Sequence, residues 1–302
     1  MRHIERPCRR HLAPLVLAAL LVLAAPPRAS ASDGIAVPGG TEVDLTYHVY
    51  GGGLLVLSLD TRAAFGTGQY AIASDIATEG LVDRFFHGRM SSRAHGLLTD
   101  AGPQMQHYAQ AYKGRFGARS VDMRRAADGG YDVEAEPDAG YMEHGPLDPK
   151  KIVGTVDPLT ASIYAALTGA ARPCTSSVPV FDGRRVYDLD FSMLQTDRLE
   201  PRIAGEYAGE AWRCKVVYKP VSGFSREWHI RRIKDPLQPA TVWMARFDGG
   251  ENGDGEAQSF LIPVRLQIES TWFNAVAHLT RASIDGRELI ASAAADADVA
   301  GD

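Results

Sequence analysis

The sequence has few of the residues and motifs by which enzymes are usually recognised. It contains three cysteines among 302 residues, and it lacks a GxSxG elbow, an HExxH pair, a Walker loop and a CxxC pair. The familiar signatures of serine hydrolases, zinc proteases, nucleotide hydrolases and thiol oxidoreductases are therefore missing. After the amino-terminal segment, no apolar run approaches the roughly 18 residues that a transmembrane helix needs.

The first 31 residues have the three parts of a secretory signal peptide. A basic start with four arginines precedes the short apolar run PLVLAALLVLAAPP, and the small residues Ala29-Ser30-Ala31 follow it. We expect cleavage after Ala31, a mature chain that begins with a linker over residues 32–40, and a periplasmic location. Cys8 precedes the apolar run, whereas the anchoring cysteine of a lipoprotein follows it, so Cys8 is expected to leave with the leader.

Removal of the leader makes the protein more acidic. The chain has 32 basic and 37 acidic residues, of which the leader carries five and one, so the mature chain has 27 against 36. A net negative charge gives no general attraction to nucleic-acid phosphates or to anionic lipid head groups. We expect no nucleic-acid partner, and outside the cytoplasm no cofactor such as ATP or NAD.

Cys174 and Cys214 are the two cysteines that remain in the mature chain. In an oxidising compartment such a pair indicates one disulfide. Two buried free thiols are the alternative. A metal site is less favoured, because neither cysteine has a Cys or His neighbour at ligand spacing.

Alternation of apolar and polar residues with a period of two dominates the mature chain. It is clear in EVDLTYHVY, LLVLSLD, RRVYDLDF and IPVRLQIES, and it predicts half-buried strands. Between VPVF and RRVY, Asp182-Gly183 predicts a type I′ hairpin turn with both residues at positive φ. DPLTASIYAAL is the best helix, since Asp157 can cap it and Pro158 suits its first position. GLVDRFFHG is a second, shorter candidate.

These elements predict a mainly β fold. We expect one β-rich domain over residues 41–283, built as a large antiparallel sheet that is curled or closes into a half-open barrel or spiral, with one or two short helices. Curling or closure limits exposed strand edges. Residues 284–302 lack apolar periodicity and are predicted to be a flexible tail.

The order of these segments resembles a bacterial secreted family called domain of unknown function 3108. YHVYGGGLLVLSL, the helix, FDGRRVYDLDF, YAGEAWRCKVVYKPVSGF and IPVRLQIESTWFNAVAHLTRA carry the resemblance, over about residues 41–283. It implies a mostly β protein of a Gram-negative cell envelope and carries no catalytic residue. The architecture is also similar, more distantly, to the envelope integrity protein B family of periplasmic proteins.

Candidate catalytic and metal sites are weak. No two of the seven histidines of the mature chain lie at metal-ligand spacing, and His48, His229 and His278 are interpreted as solvated strand-face residues. Asn252–Gly255 fits a flexible turn better than a calcium loop. The pairs Glu143-His144 and Asp188/Asp190 are equally common on solvated surfaces. No metal and no catalytic residue is predicted.

All four tryptophans lie in the carboxy-terminal half of the chain. Core packing is one interpretation; an aromatic-lined concavity for a lipid-like ligand is the other. The predicted lining residues are Trp212, Tyr218, Trp228, Trp243 and Trp272. We therefore expect a non-enzymatic periplasmic envelope protein that binds a hydrophobic ligand or a partner protein on the concave face of its sheet. The alternative is a hydrolase that acts on an envelope polymer such as peptidoglycan or polysaccharide.

Overall fold

The computed structural model describes residues 37, 40–115, 117–137, 145–168, 173–201, 205–251, 257–269 and 274–290. The predicted leader, most of the linker, Glu143-His144, Asn252–Gly255 and Trp272 lie outside these residues. The described part is mostly β, as the alternation predicts, and contains no helix long and apolar enough to cross a membrane.

The described part of the chain forms 14 strands and three α-helices, one helix more than predicted. The first seven strands are β1 Thr41–Gly51, β2 Leu54–Gly66, β3 Gln69–Thr78, β4 Arg89–Thr99, β5 Gly102–Gly114, β6 Gly117–Arg125 and β7 Tyr131–Glu136. The others are β8 Ser177–Phe181, β9 Val186–Leu199, β10 Gly209–Ser222, β11 Ala240–Glu251, β12 Ala257–Glu269, β13 Asn274–Ile284 and β14 Arg287–Ile290. The helices are α1 Gly80–Phe86, α2 Pro158–Thr168 and α3 Arg226–Lys234, and a short 3₁₀ turn spans Pro149–Lys151.

One antiparallel sheet contains all the strands, in the order β7-β6-β5-β4-β3-β2-β1-β13-β12-β11-β10-β9-β8. Each half is a meander, because strands that follow each other in sequence also pair. The two halves join where β1 pairs with β13. The edge strands β7 and β8 do not pair with each other, so the sheet is not closed into a barrel. β14 extends the pairing of β13 alone.

The sheet curls because its apolar inner face is buried against itself. The largest cluster of buried apolar side chains takes residues from 12 of the strands and Ile163 from α2. Phe65 on β2 and Phe260 on β12 are in contact with their ring centroids 5.1 Å apart, although β1 and β13 lie between these strands in the sheet. Burying one continuous apolar surface in this way is the main force that holds the two halves together.

The segment before α2 bridges the two edge strands. Val156 forms a parallel bridge with Val180 of β8, with backbone hydrogen bonds of 3.0 and 2.8 Å. The hydroxyl of Tyr131, on β7, donates to the carbonyl oxygen of Thr155 at 2.5 Å. The ring of Tyr131 also stacks on Phe181 at 6.2 Å. This segment therefore satisfies polar groups at an edge that would otherwise face solvent.

The turn after β8 differs from the predicted type I′ geometry. Gly183 has φ +87°, but Asp182 is not at positive φ. The connection has four residues, and the carboxylate of Asp182 accepts the backbone N–H groups of Arg184 and Arg185 at 2.9 and 2.7 Å. These Asx-type hydrogen bonds stabilise a loop that is longer than the predicted two-residue turn. Asp182 therefore does not adopt the positive φ that a type I′ turn requires.

Two consecutive residues at positive φ occur instead at Asp285-Gly286, with φ 51° and 73°. They connect β13 to β14, so residues 284–290 continue the sheet rather than starting the predicted tail. The polar composition of this segment conceals the strand, because β14 is short and its first residues are exposed.

Cys174 and Cys214 form a disulfide with a Cα–Cα distance of 5.8 Å. It ties the segment before β8 to β10, so it fastens a loop onto a strand. Both cysteines are buried in a second apolar cluster with Val242, Met244 and Leu261.

Loss of the disulfide is expected to lower the free energy of unfolding substantially. With a sequence separation of 40 between the cysteines, the chain-entropy relation gives about 4 kcal/mol. Urea unfolding of Cys174→Ala/Cys214→Ala should show this loss, and reduced wild-type protein should unfold at a similar midpoint. An unchanged free energy of unfolding in both samples contradicts the prediction.

Gly183→Ala is expected to destabilise the protein more than Gly129→Ala. Both glycines have nearly the same φ, +87° and +86°, so both variants carry the same backbone strain of about 1–2 kcal/mol. A Cβ at Gly183 would lie 2.3 Å from Cγ1 of Val121, whereas a Cβ at Gly129 meets nothing within 4 Å. Thermal unfolding measures the difference between the two variants. Equal melting temperatures would contradict the prediction, because they would show that the loop moves to accommodate the added methyl group without a cost in stability.

Candidate functional site

The predicted aromatic lining does not form one surface. Trp212 pairs in register with Met244, and Arg213 pairs with Trp243. The one-residue offset places the two tryptophans on opposite faces of the sheet, because side chains alternate along a strand. Trp243 joins the large inner cluster and donates its indole N–H to Asp197 at 2.8 Å, while Trp212 packs beside the disulfide.

Two of the predicted aromatic residues, Tyr218 and Trp228, belong to one chain of contacting rings. Tyr187 stacks on Tyr218 at 4.4 Å, Tyr218 meets Phe224 edge-on at 6.3 Å, and Phe224 contacts Trp228 at 4.5 Å. Tyr187 and Phe224 were not among the predicted lining residues. The chain runs from the start of β9 through the end of β10 to α3, and it fixes the position of Tyr187.

A cavity of about 400 Å³ lies where this aromatic chain ends, and we call it the Tyr187 pocket. One wall comes from β4, β5 and β6, and the other from the Asp182–Arg185 loop, β9 and the start of α2. Its lining side chains include Met90, Gln110, Tyr112, Arg119, Pro158, Arg184, Arg185 and Tyr187. The volume falls within the range of small-molecule binding sites, roughly 300–1,000 Å³.

Three arginines give the Tyr187 pocket a positive charge. Arg119 lies over the ring of Tyr112 at 4.8 Å, and Arg185 lies over Phe224 at 5.4 Å. Arg184 is held by the carbonyl oxygens of Pro137 and Ser120, at 2.9 and 3.4 Å. Asp182 is the acidic residue of the lining, so the cationic groups are in excess by two.

Two further features favour an anionic group in this pocket. Among the described residues, the buried Nε of Arg185 has no hydrogen-bond partner, and an unpaired buried donor is costly unless it finds an acceptor. Burial raises the pKa of Tyr187, with smaller contributions from Asp182 and Tyr218. Its hydroxyl therefore stays protonated at neutral pH and can donate a hydrogen bond.

A second cavity, of about 500 Å³, lies on the opposite face of the same strands. Its floor follows a row in which Ser91 pairs with Ala111 and Ala111 with Ser120, whereas Met90, Tyr112 and Arg119 pair with one another and face the Tyr187 pocket. The sheet lies between the two cavities, so the second cavity does not lengthen the Tyr187 pocket.

The amino terminus of α2 borders the Tyr187 pocket through Pro158 and is fixed by Asp157. The Asp157 carboxylate accepts the backbone N–H groups of Leu159 and Thr160 at 2.9 and 3.0 Å, and it also accepts the Thr160 hydroxyl. Thr160 is hydrogen-bonded to the Tyr70 hydroxyl at 2.6 Å. Asp157 is 0% exposed, and burial raises its pKa to about 6 in spite of these hydrogen bonds.

Two other polar candidates, Asp190 and His278, lie elsewhere and are paired. Asp190 forms an ion pair with Lys219 and accepts the hydroxyl of Ser177 at 2.5 Å, which makes it a structural carboxylate. His278 is buried rather than solvated, and its Nδ1 contacts Glu206 at 2.9 Å. Within the described residues, no group of three or more His, Cys, Asp or Glu side chains could hold a metal ion.

No protein-family model matches the chain, and no curated protein matches it. It is similar to a solved structure of a beta-barrel-like protein of domain of unknown function 1849 from Brucella abortus. The identity is 13%, the TM-score is 0.47, and the match covers 82% of this chain and 99% of that chain. A candidate lipoprotein from Parabacteroides distasonis matches with 9% identity and a TM-score of 0.27, over 81% and 95% of the two chains. At this level of similarity the neighbours carry no functional argument, and the family resemblances stay predictions.

Asp157→Asn is expected to remove part of the pH dependence of stability. A pKa raised from 3.8 to about 6 in the folded state means that folding favours protonated Asp157. Its contribution is fully present below pH 4 and is lost as the pH rises through about 6. Asparagine can cap the helix without carrying a charge. The free energy of unfolding of the variant should therefore rise relative to that of wild type between pH 4 and 7, by about 3 kcal/mol at most.

Urea unfolding at a series of pH values measures this gain. Asp148→Asn is the matched control, because Asp148 caps the exposed 3₁₀ turn by accepting the backbone N–H of Lys150. Parallel stability curves for wild type and Asp157→Asn would contradict the assignment.

Proposed function

We propose that this protein is a non-enzymatic protein of the bacterial cell envelope that binds an amphiphilic ligand with an anionic head group in the Tyr187 pocket. The observation that carries the proposal is the meeting of three arginines and two tyrosines around one cavity between the two halves of the sheet. The predicted signal peptide supports a periplasmic location.

The head group of the ligand is best matched by a carboxylate or phosphate. Guanidinium groups form charge-assisted hydrogen bonds to both, and the arginine side chains are already oriented by stacking on aromatic rings. Pre-orientation lowers the entropy that a side chain loses when it binds. Tyr187 adds a neutral donor at the same end of the cavity.

The remainder of the ligand is best matched by an apolar chain. Met90, Tyr112 and Pro158 give the Tyr187 pocket apolar walls. The rest of the inner face is filled by the large buried cluster and by α2. We therefore propose that ligand binding is confined to the Tyr187 pocket, at one end of the sheet, and does not use the whole concave face.

A fluorescent fatty acid tests the proposal. Purified protein, stripped of bound lipid, is titrated with cis-parinaric acid and separately with its methyl ester, which has the same chain without the charge. We expect saturable binding of the acid and weaker binding of the ester. Arg119→Gln and Arg185→Gln should each weaken binding of the acid about tenfold or more, since a hydrogen bond to a charged group contributes roughly 1.5–3 kcal/mol.

Arg281→Gln is the matched control, because Arg281 is an exposed arginine on β13 that pairs with Glu288 at 3.4 Å. It removes the same charge away from the Tyr187 pocket and should leave binding unchanged. Equal binding of acid and ester, or equal losses in all three variants, would refute a specific anionic site.

A further inference from the structure

The two rims of the sheet differ sharply in charge and polarity. Antiparallel pairing places the β1–β2 turn, α1, the β5–β6 turn, the Asp182–Arg185 loop and α3 at the same rim, which we call the helical rim. The connections β2–β3, β4–β5, β6–β7, β9–β10 and β13–β14 lie at the opposite rim. The sequence pattern of individual strands does not show this division.

Exposed apolar side chains concentrate at the helical rim. Nine of the 14 large apolar residues that are exposed in the described part of the chain lie there. They are Leu54, Leu81, Phe85, Phe86, Val221, Ile230, Ile233, Leu237 and Ile268. Ile233 is 81% exposed and Leu81 is 66% exposed, and α1 buries none of its residues. Exposed apolar surface gathered in one region marks an interaction site.

Basic residues concentrate at the same rim. The described connections of the helical rim carry eight Lys or Arg and five Asp or Glu, whereas those of the opposite rim carry five acidic residues and no basic one. Asp83, one of the acidic residues of the helical rim, is paired with Arg89 at 2.7 Å, which lowers the pKa of Asp83 to about 2. A protein of negative net charge thus presents a locally positive face.

Helix α3 combines both properties. Ser225 caps it by accepting the backbone N–H of Trp228, and Trp228 anchors its inner side on Phe224. Ile230 and Ile233 are exposed, together with basic residues on the same short helix. A helix with exposed apolar residues and a basic polar face is typical of segments that lie in the interface of an anionic bilayer.

We infer that the helical rim is a docking surface for a bilayer rich in anionic phospholipid. Ile230, Ile233, Leu81 and Phe85 enter the head-group region, and the basic side chains contact lipid phosphates. Charge complementarity selects an anionic surface over a neutral one. The inference stands on the rim surface and does not require a ligand in the Tyr187 pocket.

Flotation with vesicles tests the docking surface. Purified protein is mixed with vesicles of phosphatidylcholine alone or of an equal mixture of phosphatidylcholine and phosphatidylglycerol. We expect wild type to float with the mixed vesicles at low salt, to be released at high salt, and to stay unbound with phosphatidylcholine alone. Ile230→Ser/Ile233→Ser and Arg226→Gln/Lys234→Gln should each lower the bound fraction at least about fivefold.

Two control variants carry matched changes away from the helical rim. Met193→Ser/Leu194→Ser removes two exposed apolar side chains from β9, and Arg124→Gln/Arg281→Gln removes two exposed charges near the opposite rim. Both should bind as wild type does, and thermal unfolding should show that all four variants are folded. If wild type does not float with the mixed vesicles at low salt, the inference is overturned; this result is expected if the partner is an acidic protein surface. Equal losses of flotation in the test and control variants also overturn it.

Fatty-acid binding separates this inference from the proposed function. The variants in α3 should bind cis-parinaric acid with wild-type affinity, and Arg119→Gln should float with the mixed vesicles as wild type does. Loss of flotation in the α3 variants with fatty-acid binding retained supports the docking surface alone. Loss of both activities in every variant contradicts two separate sites.

Discussion

The structure depends on how a long antiparallel sheet buries its inner face without pairing its two edges. β7 and β8 would leave unpaired backbone groups if nothing lay against them, and such edges invite association with other chains. Here the chain that connects the two edge strands supplies the partner: Val156 pairs with Val180, and Thr155 accepts the hydroxyl of Tyr131. The same connection then enters α2, which fills part of the interior with Ile163. One segment of about 20 residues thus bridges the edge strands and fills part of the interior of the curled sheet.

That arrangement also creates the candidate site. The Tyr187 pocket lies beside the first residue of α2, between strands from the two halves of the sheet, so its walls meet only because the sheet is curled. Arg119 comes from one half, and Arg184 and Arg185 come from the other. Like charges brought together repel, and stacking on Tyr112 and Phe224 with hydrogen bonds to carbonyl oxygens offsets part of this cost. The repulsion that remains between the three arginines would be relieved by an anionic ligand.

The distribution of charge changes the interpretation of the composition. The negative net charge of the chain argues against attraction to anionic surfaces, yet that argument treats the charge as uniform. The fold places basic loops and helices at one rim and acidic turns at the other. Screening by salt limits the electrostatic field of each patch to distances of about 10 Å. Local charge next to exposed Ile233 and Phe85 therefore decides what the helical rim can contact, whereas net charge affects mainly solubility.

Periodicity in the sequence predicted the mainly antiparallel β fold, the strands β1, β2, β9 and β12 and the best helix, because side-chain alternation reports directly which face of a strand is buried. The count of two cysteines in the predicted mature chain favoured a disulfide, and the structure contains it. Tertiary structure alone decided which aromatic residues meet, since a one-residue offset in register puts Trp212 and Trp243 on opposite faces, while Tyr187 and Phe224 join Tyr218 and Trp228. It also decided that Asp157 is buried, that Gly183 touches Val121, and that basic residues distant in sequence share one rim. The physical reason is that register, curl and burial arise from contacts between strands far apart in the chain, which no local pattern encodes.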